Sequence, residues 1–286
     1  MRNIKIYWEL MRPFTLLAPV IGFLSGAVMA AGSFPPAVSF LGAICAAVLN
    51  GASNVNNQYF DLQIDKINKP HRPLPAGKIT PKKAIVWALV LYLAAVFLAY
   101  LVNFQFFIIV LATVFLTFFY SAPPFRFKKH AIIANLAIAI PRGVLLIVAG
   151  WVSVKSGFAI EPWFIGGIFG LFLLGAAATK DFKDIEGDRK YGINTLPVIY
   201  GVVKTIKIIS PFFIFPFLLI PLGVCFKIIK PTALPLTGLA LWGVYIIRLL
   251  LCRPQDLTLE ENHISWKHMY LMLITGQAGF AIAYLI

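Results

Sequence analysis

Residues 84–120 read AIVWALVLYLAAVFLAYLVNFQFFIIVLATVFLTFFY. A helix that crosses a bilayer uses about 20 apolar residues. The run therefore holds two crossings, Ala84–Leu101 and Phe104–Tyr120, provided that Val102-Asn103 makes a tight hairpin. Without that hairpin the chain has eight crossings; with it, nine. The other seven apolar segments are Phe14–Ala31, Ala37–Val55, Ala131–Trp151, Trp163–Ala178, Ser210–Cys225, Thr232–Leu251 and Tyr270–Tyr284. All are expected to be helical, because lipid offers no partner to an open backbone group.

Composition points the same way. Of 286 residues, 60% are hydrophobic and 13% charged, against about a quarter charged in a soluble domain, and the mean hydropathy is +0.85. A disordered chain, a nucleic-acid-binding arm and an ordinary soluble globule are excluded. Nine crossings consume most of the apolar residues, so residues 1–286 are expected to form one polytopic membrane domain. The first apolar run is long and further crossings follow it, so it reads as a retained helix, not a cleaved signal. Cys45, Cys225 and Cys252 lack a CxxC spacing and read as small core residues. His71, His130, His263 and His268 lack metal-ligand spacing and read as loop residues.

Twenty-five Lys and Arg against 11 Asp and Glu give a net charge of +14. With nine crossings, 20 of the cations fall at the N-terminus and in the even-numbered loops, and three (Lys155, Lys227 and Lys230) fall on the other side. The positive-inside rule makes the N-terminus and the even-numbered loops cytoplasmic. Arg142 and Arg248 lie inside crossings. Arg248 is near a helix end and can snorkel. Arg142, in Ile138-Ala-Ile-Pro141-Arg142-Gly143, is too deep for that and reads as a cavity-facing anion ligand.

The acids are concentrated. One stretch reads Asn54-Val-Asn-Asn57-Gln-Tyr-Phe-Asp61-Leu-Gln-Ile-Asp65, which places Asn57, Asp61 and Asp65 at i, i+4 and i+8. Another reads Lys180-Asp181-Phe-Lys-Asp184-Ile-Glu-Gly-Asp188, which places Asp181, Asp184 and Asp188 at i, i+3 and i+7. Each set lies along one face of a helix that continues a crossing at its basic end. Asp61 and Asp184 are 123 residues apart, as are Asp65 and Asp188, which suggests a weak internal repeat. Carboxylates on one helix face repel by about a few tenths of a kcal/mol per pair, unless a cation lies between them. Carboxylates with an Asn carbonyl are hard oxygen ligands suited to Mg²⁺, which binds through carboxylates plus phosphate oxygens. Lys69, Arg72, Arg126, Lys128, Lys180, Arg189 and Lys190, on the same side of the membrane as these acids, suit a diphosphate.

At these residues the sequence resembles the UbiA superfamily of intramembrane prenyltransferases. Asn57, Asp61 and Asp65 match that family's NxxxDxxxD signature, followed by Asn68-Lys69-Pro70-His-Arg72-Pro73-Leu-Pro75-Ala-Gly77. Lys180, Asp181, Asp184 and Asp188 match the second signature, followed by Gly187-Asp188-Arg189 and Thr195-Leu196-Pro197. Arg12-Pro13, Tyr120-Ser121-Ala-Pro123-Pro124 and Trp266…Met269-Tyr270 extend the resemblance along the whole chain. One position departs: many members carry YxxxK before the second motif, and here the tyrosine is replaced by Ala176.

The resemblance implies an all-α membrane protein, with nine transmembrane helices around a central lipid-accessible cavity and the two motifs facing across it. It implies transfer of a polyprenyl group from a polyprenyl diphosphate to a lipophilic acceptor, with Mg²⁺, two ions, as cofactor. Asn57, Asp61 and Asp65 would hold one ion with the diphosphate, and Asp184 and Asp188 the second. Asp181 would help a metal or take a proton from the acceptor. Arg72, Arg126, Lys128 and Lys180 are candidate diphosphate clamps. Asn57 and Arg142 are grouped with them, and Tyr120 and Ser121 are placed near the reacting carbon. Among acceptors, an aromatic or quinone-type ring is weakly favoured over a glycerophosphate ether-lipid precursor or a chlorophyllide-type propionate. The competing class is a membrane transporter using the acids as an ion path; transporter acids usually lie near the bilayer midplane, whereas these lie at helix ends. Beyond donor, acceptor and membrane lipid, neither nucleic acid nor an obligatory protein partner is expected.

Overall fold

The computed structural model describes residues 2–155, 157–260 and 263–286, with the side chains of residues 2 and 3 left out; Arg2, counted above among the cations, is one of these. Among the described residues, nine helices are long and apolar enough to cross a membrane. A short helix α1 (Arg2–Leu10) precedes them. The crossings are α2 (Pro13–Ala31), α3 (Ala37–Phe60), α5 (Pro81–Val102), α6 (Phe104–Ser121), α7 (Ala131–Val152), α8 (Ile160–Phe182), α10 (Val202–Cys225), α11 (Pro231–Cys252) and α12 (Ile264–Leu285). Two short helices, α4 (Leu62–Asn68) and α9 (Ile185–Lys190), follow α3 and α8. The protein is an all-α, multi-pass integral membrane protein.

The hairpin that decides the count is present. α5 ends at Val102, α6 begins at Phe104, and Asn103 closes the turn. Its Oδ1 accepts the Phe106 N–H at 2.9 Å and its Nδ2 donates to the Val152 carbonyl at 2.8 Å. The polar residue that interrupts the apolar run thus satisfies backbone groups that lipid cannot.

Two apolar cores flank the interior. Phe169, Phe172, Phe213, Phe217 and Phe280 pack α8, α10 and α12 together, while Phe23, Leu49, Leu91 and Phe106 pack α2, α3, α5 and α6. α7 serves both, with Ile147 and Trp151 in the first and Val148 and Val152 in the second. It lies backbone to backbone with α2: a Cβ on Gly150 would sit 1.9 Å from the Phe23 carbonyl oxygen, and one on Gly26 2.2 Å from that of Ile147. Such small-residue approaches let membrane helices gain contact where no hydrophobic drive separates protein from lipid.

Only 22–33% of the crossing residues of α5, α6, α10 and α11 are buried within the protein, against 61% in α3 and α8. The former face lipid and the latter run inside. The two acidic motifs therefore sit at the ends of the two most enclosed helices. Midway along α7 the helix widens to a π turn over Ile140–Leu145, where Pro141 has no N–H to give to the ladder.

Candidate functional site

The first motif straddles a break. α3 ends at Phe60, Asp61 takes φ −100° and ψ 10°, and α4 resumes at Leu62. The Asp61 N–H still donates to the Asn57 carbonyl at 2.9 Å and the Asp65 N–H to that of Asp61 at 2.7 Å. The second motif repeats this. α8 tightens into a 3₁₀ turn at Lys180–Phe182, Asp184 takes φ −95° and ψ 0°, and α9 follows. The Asp188 N–H donates to the Asp184 carbonyl at 2.9 Å. The sparsely populated bridge conformation thus recurs at both positions of the 123-residue offset. The expectation of a continued helix is corrected to a helix, a break of one residue at Asp61 and of two at Lys183-Asp184, and a second short helix.

A cavity of about 300 Å³ opens between the motifs, lined by Asn57, Asp61 and Asp65 from one and Asp181, Asp184 and Asp188 from the other. Most of the acids are ion-paired. Asp61 meets the buried Lys128 ammonium, with Arg126 Nη2 at 3.8 Å. Arg72 donates to Asp65 at 3.1 Å, Lys69 to Asp184 at 2.5 Å, and Lys180 lies 4.0 Å from Asp181. Asp188 has no ion pair among the described residues. The Lys69 pair crosses from the first motif's helix to the second motif. Asn68 joins it: its Nδ2 donates to the Asp184 carbonyl and its Oδ1 accepts the Gly187 N–H, both at 3.1 Å.

Burial pushes the Asp65 carboxyl above its ordinary range, against the pull of Arg72 and Lys69. Burial, then the nearby Asp181 and Asp184, pushes Asp188 up to about 8. These carboxylates are held out of water, beside one another, and the nearby cations only partly offset that cost. Asp184 Oδ1 is buried and accepts no hydrogen bond; Asp61 Oδ1 accepts none of good geometry, although Lys128 lies against it. Buried acceptor oxygens without donors are what a hard cation satisfies, so the donor set fits Mg²⁺. Among the described residues no three His, Cys, Asp or Glu side chains form a closed metal cage.

The other expected residues divide. Tyr120 lines the cavity; its hydroxyl lies 2.6 Å from Lys180 Nζ, which also stands 4.8 Å above its ring. The phenol that meets Lys180 therefore comes from α6, while the position one turn before the lysine is occupied by Ala176, a cavity-lining residue. Ser121 lies behind the cavity wall, where its Oγ accepts from Asn57 Nδ2 at 2.9 Å; the same nitrogen donates to Asp61 Oδ2 at 2.6 Å. Arg72, Lys128 and Lys180 line the cavity, and Arg126 stands outside its wall. Arg189 and Lys190 are exposed, away from it. Arg142 lines the cavity from the π turn of α7, with no ion pair among the described residues. Sequence reasoning missed the bridging amide of Asn68, the cross-motif pairing of Lys69, and Arg12 and Gln277, which also line the cavity. A polar residue in an apolar helix was the available signal for Gln277.

Residues 17–284 match the model of the UbiA prenyltransferase family. Digeranylgeranylglyceryl phosphate synthase from Methanosphaera stadtmanae is 29% identical over 277 residues, covering 96% of this chain and 98% of that protein. The synthase from Thermococcus sibiricus is 35% identical over 212 residues, 72% of either chain. A probable homogentisate phytyltransferase 2 from Oryza sativa subsp. japonica is 36% identical over 211 residues, covering 68% of this chain and 55% of that one. Among solved structures, a digeranylgeranylglyceryl phosphate synthase superposes with a TM-score of 0.74 at 26% identity, over 100% of this chain and 99% of that one. A UbiA homolog from Archaeoglobus fulgidus bound to DMAPP and Mg²⁺ superposes with a TM-score of 0.76 at 21% identity, over 98% of both chains.

Proposed function

The chain belongs to the UbiA prenyltransferase family and is a polyprenyl-transferring membrane enzyme, and from that premise we propose that it alkylates a glycerophosphate ether-lipid precursor with a geranylgeranyl-class chain. The weak preference for an aromatic acceptor gives way. A relative aligned over nearly the whole of both chains is a digeranylgeranylglyceryl phosphate synthase. A second geranylgeranyl group on such a product requires geranylgeranyl diphosphate as donor and geranylgeranylglyceryl phosphate as acceptor.

The observation that carries the site assignment is two acidic turns facing across one cavity with cations interleaved, and a buried Asp184 oxygen left without a donor. Asn57, Asp61 and Asp65 would hold one Mg²⁺, and Asp184 and Asp188 a second. When bound, the metal supplies Lewis-acid neutralisation of charge on the diphosphate. Arg72, Lys128 and Lys180 bind the diphosphate oxygens, and Tyr120 is oriented toward the reacting carbon by its bond to Lys180. Ser121 positions Asn57, and Arg126 steadies Asp61 from outside the wall. As the bond from prenyl C1 to oxygen breaks, the electron pair leaves with diphosphate. The acceptor hydroxyl oxygen bonds to C1, and its proton passes to Asp181, buried at the cavity wall. Apolar side chains on the wall, Ile138, Leu146, Phe172 and Leu173, help to keep water from the allylic cation. The 20-to-3 split of cations supports a cytoplasmic position for the basic end of the bundle.

A homogentisate-type ring is the second reading, favoured by the rice relative. One experiment decides. Purified protein with geranylgeranyl diphosphate and Mg²⁺ is offered geranylgeranylglyceryl phosphate and homogentisate separately, and products are identified by mass spectrometry. The digeranylgeranyl ether is expected; a prenylated ring alone sinks the ether-lipid assignment.

A further inference from the structure

Below the acidic mouth, the cavity wall carries two polar side chains that the reading above does not use. Arg142 lies eleven residues into α7 from its basic end, about 17 Å along the axis. Gln277 lies thirteen residues into α12, about 20 Å. Both line the cavity. Gln277 is fully buried, and neither its Oε1 nor its Nε2 has a hydrogen-bond partner. Gly22 of α2 adjoins the amide and Leu146: a Cβ there would meet Gln277 Nε2 and Leu146 Cδ2, each at 2.6 Å. Leu146 is four residues past Arg142 on α7, and Arg142, Leu146 and Gln277 all line the same cavity.

Arg142 keeps its proton under all ordinary conditions. It has no ion pair and no side-chain hydrogen bond among the described residues, and its ionisable neighbours are the phenols of Tyr120, Tyr270 and Tyr92, not a carboxylate. The cations at the mouth already serve the acids and the diphosphate. Arg142 lines the main cavity and also an adjoining apolar pocket of about 50 Å³, which it shares with Pro141 and Leu146. A fixed positive charge and an unsatisfied amide on the wall of one cavity suit an anionic oxygen group on a second molecule.

We propose that Arg142 and Gln277 form an acceptor subsite that binds an oxyanion on the acceptor, a phosphate monoester or a carboxylate, separately from the donor's diphosphate. The inference rests on the prenyl-transfer reading and deepens it: the acceptor enters with its anion at Arg142 and its hydroxyl turned up toward C1 of the donor. It also moves Arg142 from the diphosphate to the acceptor.

The test is steady-state kinetics of the full chain in detergent with geranylgeranyl diphosphate and Mg²⁺, using geranylgeranylglyceryl phosphate, its phosphate-free alcohol and homogentisate as acceptors. Arg142→Leu is expected to raise the KM of the oxyanion-bearing acceptor about 10- to 100-fold, the effect of losing charged hydrogen bonds, and to leave the donor KM within about twofold. Arg142→Lys is expected to recover part of that loss, and Gln277→Glu, which opposes the oxyanion with a second negative charge, to raise the same KM. The wild-type enzyme alone is informative, because it should prefer the phosphate-bearing acceptor to the alcohol by a similar factor. Equal use of phosphate and alcohol by the wild type overturns the proposal, as does a rise in donor KM matching that in acceptor KM. Prenylation of homogentisate alone removes the glycerophosphate reading and leaves the subsite to be judged by the same variants on the carboxylate. Transfer to none of the three removes both.

Discussion

Asn68 is seated on Gly187. Its Oδ1 accepts the Gly187 N–H at 3.1 Å, and a Cβ at Gly187 would lie 2.6 Å from both Oδ1 and Nδ2 of that amide. The same side chain holds the Asp184 carbonyl, so the end of the first acidic helix fixes the turn of the second. The two motifs are one unit because of this contact and the neighbouring Lys69–Asp184 pair.

Gly187→Ala is therefore expected to displace the Asn68 amide and lose both bonds. The destabilisation should be about 1–3 kcal/mol, read as a lower unfolding temperature of the detergent-solubilised protein. Asn68→Ala should give a comparable loss with Gly187 intact. If either substitution is silent, the two turns are held together by something else.

Asp61→Asn and Asp184→Asn keep shape and remove charge. Each should lower kcat/KM by about a hundredfold or more if the carboxylates hold charge that matters in the transition state. Asp61→Ala should also destabilise the cation-free protein, by about 3 kcal/mol, because it strands the Lys128 side chain at 7% exposure. Thermal unfolding without Mg²⁺ separates the two effects.

Lys180→Met should raise the donor KM about tenfold or more, as expected for loss of a charged contact to phosphate oxygens. Tyr120→Phe removes only the hydroxyl that meets Lys180 at 2.6 Å and should cost about 1 kcal/mol, roughly fivefold in kcat/KM. A larger effect for Tyr120→Phe than for Lys180→Met would reverse the assigned hierarchy.

The raised Asp188 group gives a pH signature. Its folded-state value of about 8 lies above the ordinary 3.8, so the folded protein binds this proton more tightly than the unfolded chain does. Between those values the cation-free protein should lose stability as pH rises. Mg²⁺ competes with the proton, so its apparent affinity should climb with pH toward about 8 and then level, with close to one proton released per binding event near neutrality. Calorimetry in buffers of different ionisation enthalpy measures that release; an affinity flat across this range contradicts it.

The crossings and the acid faces were legible because they are local. An apolar run of membrane length admits only a helix, and i, i+4 spacing puts side chains on one face whatever surrounds them. The breaks at Asp61 and Asp184 were not legible, since neither Pro nor Gly marks them. Partners across the bundle were also hidden: Lys69 stands four residues from Asp65 in sequence yet pairs with Asp184, while Arg72 takes Asp65. The sequence contains 25 Phe and offers no means of choosing among them; among the described residues Phe172 alone of these lines the main cavity, with Tyr120, Trp266 and Tyr270 offering further aromatic faces. Which residue meets which is decided by helix packing, and that is where the Ala176 departure resolves, with the phenol supplied from α6.

The most direct test of the central claim is diphosphate release from geranylgeranyl diphosphate in the presence of geranylgeranylglyceryl phosphate, titrated with Mg²⁺ for wild type, Asp61→Asn and Asp184→Asn. Release matched by ether product, saturating with Mg²⁺ in the wild type and reduced about a hundredfold in both variants, is the predicted result. Turnover that persists in a chelator, or variants that release diphosphate at the wild-type rate, would contradict a reaction carried by two acidic turns across one cavity.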